Sequence, residues 1–455
     1  MFSFAQIARP FQGASVNRRI LRAAASVSAA VVLVKLVATV KEFAVAGVYG
    51  RSDDMDAFLA AALIPGLLIN LISESMNQAL VPTLVRVRQT EGRERAQQLL
   101  SSSMLWLCLL LAGASVVMAL AARGFFPLIA SHFPAAKLDI SVRLFYALLP
   151  IVLLSGIAAN CTAVLNTFER FAWPAIAPVV TPIAMMACAL FLGRRIGIWA
   201  LVYGYLAGAL IHACIVTWMM DSFGYRFRLR WHGMTDATRQ VAGQYGPVLL
   251  SGLVASGGLL VDQSMAAMLP AGSVAALAYA GRFVSVVLTL MAGTISTAVA
   301  PYFSTMIAAG DWPGCRHTLR TWVKLTALIS APIAAGLMLG AHLLIRFTFQ
   351  HGAFGPADTA AVTPVLVMYA IQIPFFASSR VFYRFLVAMR RTDVALFCGI
   401  LNLGLDIVLN IILMRWFGVA GIALATSLWT ISTFFFLWYW TWRVLPKATS
   451  PGAAA

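Results

Sequence analysis

Charge is what this sequence has least of. Only 11% of its 455 residues are Asp, Glu, Lys or Arg, against roughly 25% in ordinary soluble domains, and just 16 are acidic. A water-exposed surface cannot be built from so few charges, so a soluble enzyme or binding domain is excluded. Apolar residues, 61% of the total, recur along the whole chain and leave no polar block long enough for a separate soluble domain. The six cysteines (Cys108, Cys161, Cys188, Cys214, Cys315 and Cys398) form no CxxC pair and five lie in apolar runs, which argues for free packing thiols over a disulfide framework or a zinc site. No GxxxxGK[ST] loop occurs, so a nucleotide-driven engine is not expected. No catalytic or metal-binding constellation stands out. The basic excess, a formal +17, falls in short clusters between apolar runs and not along one polar face, so nucleic acid is not an expected partner.

What is there is length of apolar run. Segments able to cross roughly 30 Å of hydrocarbon lie near 22–49, 56–87, 98–121, 141–167, 173–193, 198–220, 245–269, 276–307, 319–345, 359–388, 393–414 and 418–442. The expected fold is an all-α polytopic membrane protein of about twelve transmembrane helices. The first run carries Lys35 and Lys41 and has no small-residue cleavage site, so it reads as a helix and not as a removable signal. Alternate connections carry most of the arginines: Arg86, Arg88, Arg93 and Arg95 in one, Arg226, Arg228, Arg230 and Arg239 in another, Arg390 and Arg391 in a third. The positive-inside rule places these connections and both termini in the cytoplasm, with Arg194 and Arg195 as the main exception.

The two halves echo one another at an offset of about 220 residues. Gln78-Ala79-Leu80-Val81-Pro82 matches Thr297-Ala298-Val299-Ala300-Pro301, and Gly197-Ile198-Trp199 matches Gly418-Val419-Ala420. Six helices per half is an even number, so the halves share an orientation about an axis along the membrane normal and enclose a central cavity. The expected organisation is a cytoplasmic segment 1–21, a six-helix lobe 22–220, a basic linker 221–244, a second six-helix lobe 245–445 and a tail 446–455.

An ionisable group at mid-bilayer costs roughly 2.5–3.5 kcal/mol on insertion scales, so those retained face a cavity or a partner. Lys35 sits midway along the first segment, too deep to snorkel easily, and is expected to point at water or an anion; the alternative is pairing with Asp262 or Asp406. Glu42, seven residues on and so on nearly the same face, is expected to be its water-linked neighbour. Arg282 follows Tyr279-Ala280-Gly281, and its guanidinium either takes a phosphate bidentately or snorkels to the interface. Asp262 aligns with Lys41 under the repeat and reads as a lock between halves or an ion-coupling group. Glu74, Arg380 and Asp406 read as structural. Pro65-Gly66, Pro174, Pro178, Pro182, Pro332 and Pro374 mark expected kinks, and the spacings Gly204-xxx-Gly208 and Gly336-xxx-Gly340 mark expected tight helix contacts.

The stretch Lys41-Glu42-Phe43-Ala44-Val45-Ala46, then Tyr49-Gly50, Asp56-Ala57-Phe58, Ile64-Pro65, Glu74 and Ala79-Leu80-Val81-Pro82, resembles the opening signature of the MurJ/MviN family of lipid II flippases, in the multidrug/oligosaccharidyl-lipid/polysaccharide exporter superfamily. Val261-Asp262, Ala278-Tyr279-Ala280-Gly281-Arg282, Phe349-Gln350-His351-Gly352-Ala353-Phe354 with Asp358, and Gly418 to Ser427 extend the resemblance from about residue 15 to 445. It implies two six-helix lobes around a cavity that opens alternately to either side and carries a polyprenyl-pyrophosphate-linked glycan outward, with Lys35, Lys41 and Arg282 as cations for the pyrophosphate. Asp56 matches a family aspartate near the start of the second helix; it, Glu42, Glu74 and Asp262 are the candidates for gating or ion coupling. A diphosphate entering a low-dielectric cleft needs such cations to offset its desolvation.

The chain departs from the family in having Ile69 and Asn70 where typical members carry an arginine pair, lysines for arginines on the first helix, and no counterpart of two further helices thought to receive the lipid tail. A related lipid-linked glycan therefore stands beside lipid II as substrate. No cofactor is expected; an ion gradient or the membrane potential would supply the drive, with membrane lipid as surroundings and a monomer as the transport unit. The rivals are a cation-coupled multidrug antiporter, which would want an acidic pocket; a membrane glycosyltransferase, which would want carboxylates in a large polar loop; and a transport-inactive scaffold for envelope assembly.

Overall fold

The computed structural model describes residues 9–130, 132–166, 172–389 and 391–445, with the side chain of Glu74 outside the described residues along with the terminal stretches 1–8 and 446–455. Every regular element among the described residues is helical. In chain order these are α1 (Arg9–Tyr49), α2 (Asp53–Leu68), α3 (Glu74–Thr90), α4 (Arg93–Ile129), α5 (Ala135–Asn166), α6 (Ala172–Ile176), α7 (Val180–Ile196), α8 (Trp199–Ser222), α9 (Asp236–Ala266), α10 (Ser273–Ala308), α11 (Trp312–Phe349), α12 (Pro356–Ala370), α13 (Ile373–Ala388), α14 (Thr392–Phe417) and α15 (Val419–Val444).

Apolar length explains most of this. In hydrocarbon a backbone amide has no water to bond, so a continuous helix is the only open-ended way to satisfy it. Ten helical stretches among the described residues are long and apolar enough to cross a membrane. The other two expected spans, 22–49 and 245–269, fall on α1 and α9. Both helices outrun their apolar stretch: α9 begins at Asp236, within the expected linker, where the Thr235 hydroxyl accepts from the Thr238 amide and caps the first turn.

The interruptions fall where proline removes a donor. Between α2 and α3 the chain closes a π-helical turn, Ile69–Ser73, one turn after Pro65-Gly66. Pro174, Pro178 and Pro182 accompany the 3₁₀ stretch Ala177–Val179 that joins α6 to α7. The expected span 359–388 is two helices, α12 and α13, broken at Ile371-Gln372 just before Pro374. The buried Gln372 at this break accepts from the Thr430 hydroxyl at 3.4 Å. Pro332, in contrast, sits inside an unbroken α11.

The chain forms two compact units, each discontinuous in sequence. One comprises residues 1–41, 65–120 and 146–249, the other 42–64, 121–145 and 250–455. The division falls inside α1, α2, α4, α5 and α9. The first unit is built on a core of Leu99, Leu100, Leu107, Val164, Leu165 and Val216. In it α7 and α8 pack so closely that a Cβ on Gly204 or Gly208 would meet the Met185 or Thr181 Cα at 2.7 and 2.6 Å, which is the tight contact expected of that spacing. The second unit is built on a core that includes Phe303, Val381, Phe382 and Phe385. Here the expectation for Gly336 and Gly340 is corrected: nothing lies within 4 Å of a Cβ at either, so their face of α11 is open.

Candidate functional site

The second unit gathers residues from distant parts of the chain at the ends of α1, α2, α10 and α12. The C-terminal turns of α1 supply Glu42, Phe43 and Gly47. Glu42, with a side chain only 5% exposed, pairs with the Arg282 Nη2 of α10 at 2.8 Å, and Arg282 remains 47% exposed. One carboxylate is thus spent in the interior while the guanidinium keeps an open side. Phe43 packs edge-on to Phe349 at 5.0 Å and stacks on Phe283 at 6.1 Å. The turn after α11 then closes over α1: the Ala353 amide donates to the Gly47 carbonyl at 2.8 Å, and the His351 Nε2 lies 3.0 Å from the Phe43 carbonyl. A Cβ on Gly47 would stand 2.6 Å from the His351 ring, and one on Gly352 would run into the Gly47 backbone. These contacts account for the glycines and aromatics of the Tyr49-Gly50 and His351-Gly352-Ala353-Phe354 motifs. The Tyr279 hydroxyl, buried, donates to the Gly50 carbonyl at 3.0 Å and completes the join.

Asp56 anchors the same region. Its two carboxylate oxygens accept from the Gly272 amide at 2.6 Å and the Ala275 amide at 2.8 Å, so a side chain on α2 caps the N-terminus of α10. A carboxylate there also meets the positive end of the helix dipole. Lys137 of α5, itself buried, bonds Asp56 at 3.0 Å and the exposed Asp53 at 2.6 Å. Arg51 extends the network by donating to the Gly272 carbonyl at 3.1 Å and pairing with Asp358 at 3.5 Å. Asp358 in turn accepts from the Gly355 amide at the start of α12. One buried carboxylate and its neighbours therefore tie together the beginnings of α2, α10 and α12.

A second cluster lies deeper in the same unit. Asp262 of α9 accepts from the Asn410 amide at 2.8 Å and the Thr426 hydroxyl at 3.0 Å, and the same Asn410 amide reaches Asp406 at 3.2 Å. Both carboxylates are buried, and among the described residues no basic side chain pairs with either. One Asp406 oxygen and the Asn410 side-chain carbonyl have no hydrogen-bond partner. Both aspartates line a cavity of about 520 Å³ that also touches Gly281, Tyr369 and Arg380. Arg380 lies against the Phe376 ring at 4.4 Å, and its Nε has no acceptor.

Of the residues singled out in the sequence, the second unit brings together Glu42, Asp56, Asp262 and Arg282. Lys35, exposed, and Lys41, half-buried, belong to the first. The carboxylate facing Arg282 is Glu42, a pairing that the sequence did not suggest. Sequence reasoning passes over Lys137 and Arg51, which read as connection charges, and reads Asp406 as structural. It also misses Asn410 and Thr426; Asn410 stands one helical turn after Asp406, a spacing that could have drawn attention to it.

The chain is a many-spanned helical membrane protein with buried charges at helix ends and mid-helix, and solved structures share its fold. A lipid II flippase MurJ in an inward closed conformation superposes with a TM-score of 0.78 at 22% identity, covering 92% of this chain and 88% of that one. An inward-facing multidrug resistance MATE transporter of the MOP superfamily gives 0.77 at 11% identity, covering 90% and 94%. The family model described as Lipid II flippase MurJ matches residues 45–453, and the chain belongs to this family. Relatives include a probable lipid II flippase MurJ of Vibrio cholerae, 25% identical over 91% of this chain and 81% of its own, and one of Synechocystis, 24% identical over 90% and 79%. The Burkholderia cenocepacia lipid II flippase MurJ is 25% identical over 78% of this chain and 70% of its own. The protein is accordingly a multi-pass membrane protein of the MurJ family.

Proposed function

We propose that this protein is a flippase that moves lipid II, a polyprenyl-pyrophosphate-linked glycan, from the cytoplasmic to the periplasmic leaflet of the bacterial inner membrane by alternating access. It is a transporter and not an enzyme, works as a monomer, and has both termini in the cytoplasm. The observation that carries the reading is Arg282, a half-exposed guanidinium ten residues into an apolar helix and held by the buried Glu42. A substrate diphosphate offers this guanidinium a bidentate anion of higher charge than one carboxylate. Its arrival competes with Glu42, loosens the join between α1 and α10, and so favours the state in which the Asp56 cap is released. Lys35 and Lys41 supply further positive charge along α1. A ligand shifts such an equilibrium only by its differential affinity for the two states, and the Glu42-for-diphosphate exchange is that difference.

The drive comes from an ion gradient or the membrane potential, the latter worth roughly 2.3 kcal/mol per charge per 100 mV. Asp262 and Asp406 are the residues suited to take up the coupling charge, since two buried carboxylates sharing one amide, with an orphaned oxygen, favour occupancy by one positive charge. The multidrug reading shares this fold and could use the Asp262–Asp406 cavity for a cation, but it leaves the half-exposed guanidinium of Arg282 without a role.

Depletion of the protein should cause lipid II to accumulate in the cytoplasmic leaflet, and unchanged pools of every polyprenyl-linked glycan would remove the flippase reading in favour of a scaffold. Arg282→Ala should abolish complementation at normal protein level; full activity would show that this guanidinium does not hold substrate.

A further inference from the structure

At the arginine-rich ends of α3, α4 and α9, all within the first unit, lies a cavity of about 700 Å³ that the transport reading does not use. Arg86 reaches it from the last turns of α3, Glu91 from the residue that caps α3, Arg95 from the first turn of α4, and Asp236 from the first residue of α9. Two cations and two anions thus line one chamber, and among the described residues none of the four is ion-paired. The chamber wall is held in place by α4. The Gln97 amide donates to the Arg226 carbonyl at 2.8 Å and accepts from the Arg226 amide at 3.0 Å, while Ser102 accepts from the His232 amide at 3.2 Å. The non-helical stretch 225–235 is pinned there as a pre-formed lip.

Met234 and Thr238 line this chamber and a second one of about 250 Å³ beside it. The second is apolar, walled by Met76, Trp106, Leu110 and Val241. Trp106 and Leu110 are exposed on its outer side, and Trp106 meets Trp231 edge-on at 5.8 Å. Such paired indoles sit at the headgroup level of a bilayer. The Ser103 hydroxyl lines the apolar chamber, is buried, and has no hydrogen-bond partner.

A polar chamber carrying both signs of charge, joined to an apolar one with an orphaned hydroxyl, has the pattern of a phospholipid. The sign balance selects the head: a phosphate for Arg86 and Arg95, and a primary ammonium able to donate hydrogen bonds to Glu91 and Asp236. We propose that this bipartite cavity is a binding site for an aminophospholipid of the adjoining leaflet, its phosphoethanolamine head in the charged chamber and an acyl chain in the apolar one. Ser103 donates to an ester carbonyl between them. The site is separate from Arg282 and does not depend on what the protein transports.

The test is native mass spectrometry of the full-length protein, purified and offered phosphatidylethanolamine, phosphatidylcholine and phosphatidylglycerol at equal concentration. Phosphatidylcholine keeps the net charge but loses the donating N–H groups, and phosphatidylglycerol loses the cation. Retention of phosphatidylethanolamine should exceed that of the other two by about tenfold, the worth of one charged hydrogen bond. The double variant Glu91→Gln with Asp236→Asn should erase that preference, and Met234→Trp, which fills the neck without touching charge, should lower retention of all three lipids. Thermal unfolding of each variant checks that it is folded. Equal or stronger retention of phosphatidylglycerol by the wild type, or a preference unchanged in the folded double variant, would overturn the proposal.

Discussion

Asp56 joins a helix N-terminus and a buried cation through one carboxylate. It is almost wholly buried, accepts two backbone amides of the α10 N-terminus, and neutralises the buried Lys137. Removing it strands two backbone donors and leaves Lys137 with only the exposed Asp53, and breaking a buried pair from one side costs about 3–5 kcal/mol. Asp56→Ala should therefore lower thermal stability in detergent by about that much, while Asp53→Ala, which removes the exposed partner of the same lysine, should cost under about 1 kcal/mol. Equal losses in the two melts would mean that Lys137 and not the α10 cap is the issue. A resemblance was enough to single out this aspartate in the sequence, but its capping role was not legible there. Nothing in the pattern of residues 53–58 says that the amides it will cap lie beyond residue 270.

Among the elements, α10 has a start that is specified from outside the helix. Gly272 precedes it with φ +81°, a conformation that L side chains avoid, and a Cβ there would stand 2.7 Å from the Arg51 carbonyl. Gly272→Ala should destabilise by about 1–2 kcal/mol from backbone strain alone, with more from the clash. Gly336→Ala and Gly340→Ala in α11 meet open space in a regular helix and should be neutral, or stabilising by up to about 1 kcal/mol each. Differential scanning fluorimetry of the three variants in one detergent separates these outcomes. Spacing alone treats both GxxxG pairs alike. Only the neighbours distinguish Gly204 and Gly208, pressed against α7, from a pair with nothing opposite.

For the whole molecule, the question is whether ion uptake and substrate movement are coupled. Asp262 and Asp406 share the Asn410 amide, so under the proposed coupling they are expected to behave as one site and not as two. Asp262→Asn and Asp406→Asn should each impair complementation, and the double variant should be no worse than the more severe single. Additive losses, read from lipid II pools in the depleted strain, would show two independent roles. The second unit also holds both ends of the Glu42–Arg282 pair and the full Asp56 network, although its residues come from three separate stretches of chain.

The sequence by itself determined that the chain lives in a membrane, where its spans run, and which family it resembles, because hydrocarbon leaves the backbone a single choice and apolar length reads that choice directly. It also marked Glu42, Asp262 and Arg282, since charge within apolar runs is conspicuous wherever it occurs, and Asp56 through the family resemblance. The tertiary structure alone decided which charges meet across the fold: Glu42 pairs with Arg282 from one helix to another, and Lys137 and Arg51 are joined to aspartates far away in the chain. Helical periodicity reports the face a residue occupies on its own helix. It is silent about which other helix that face will find, because partner choice depends on the packing of the whole fold.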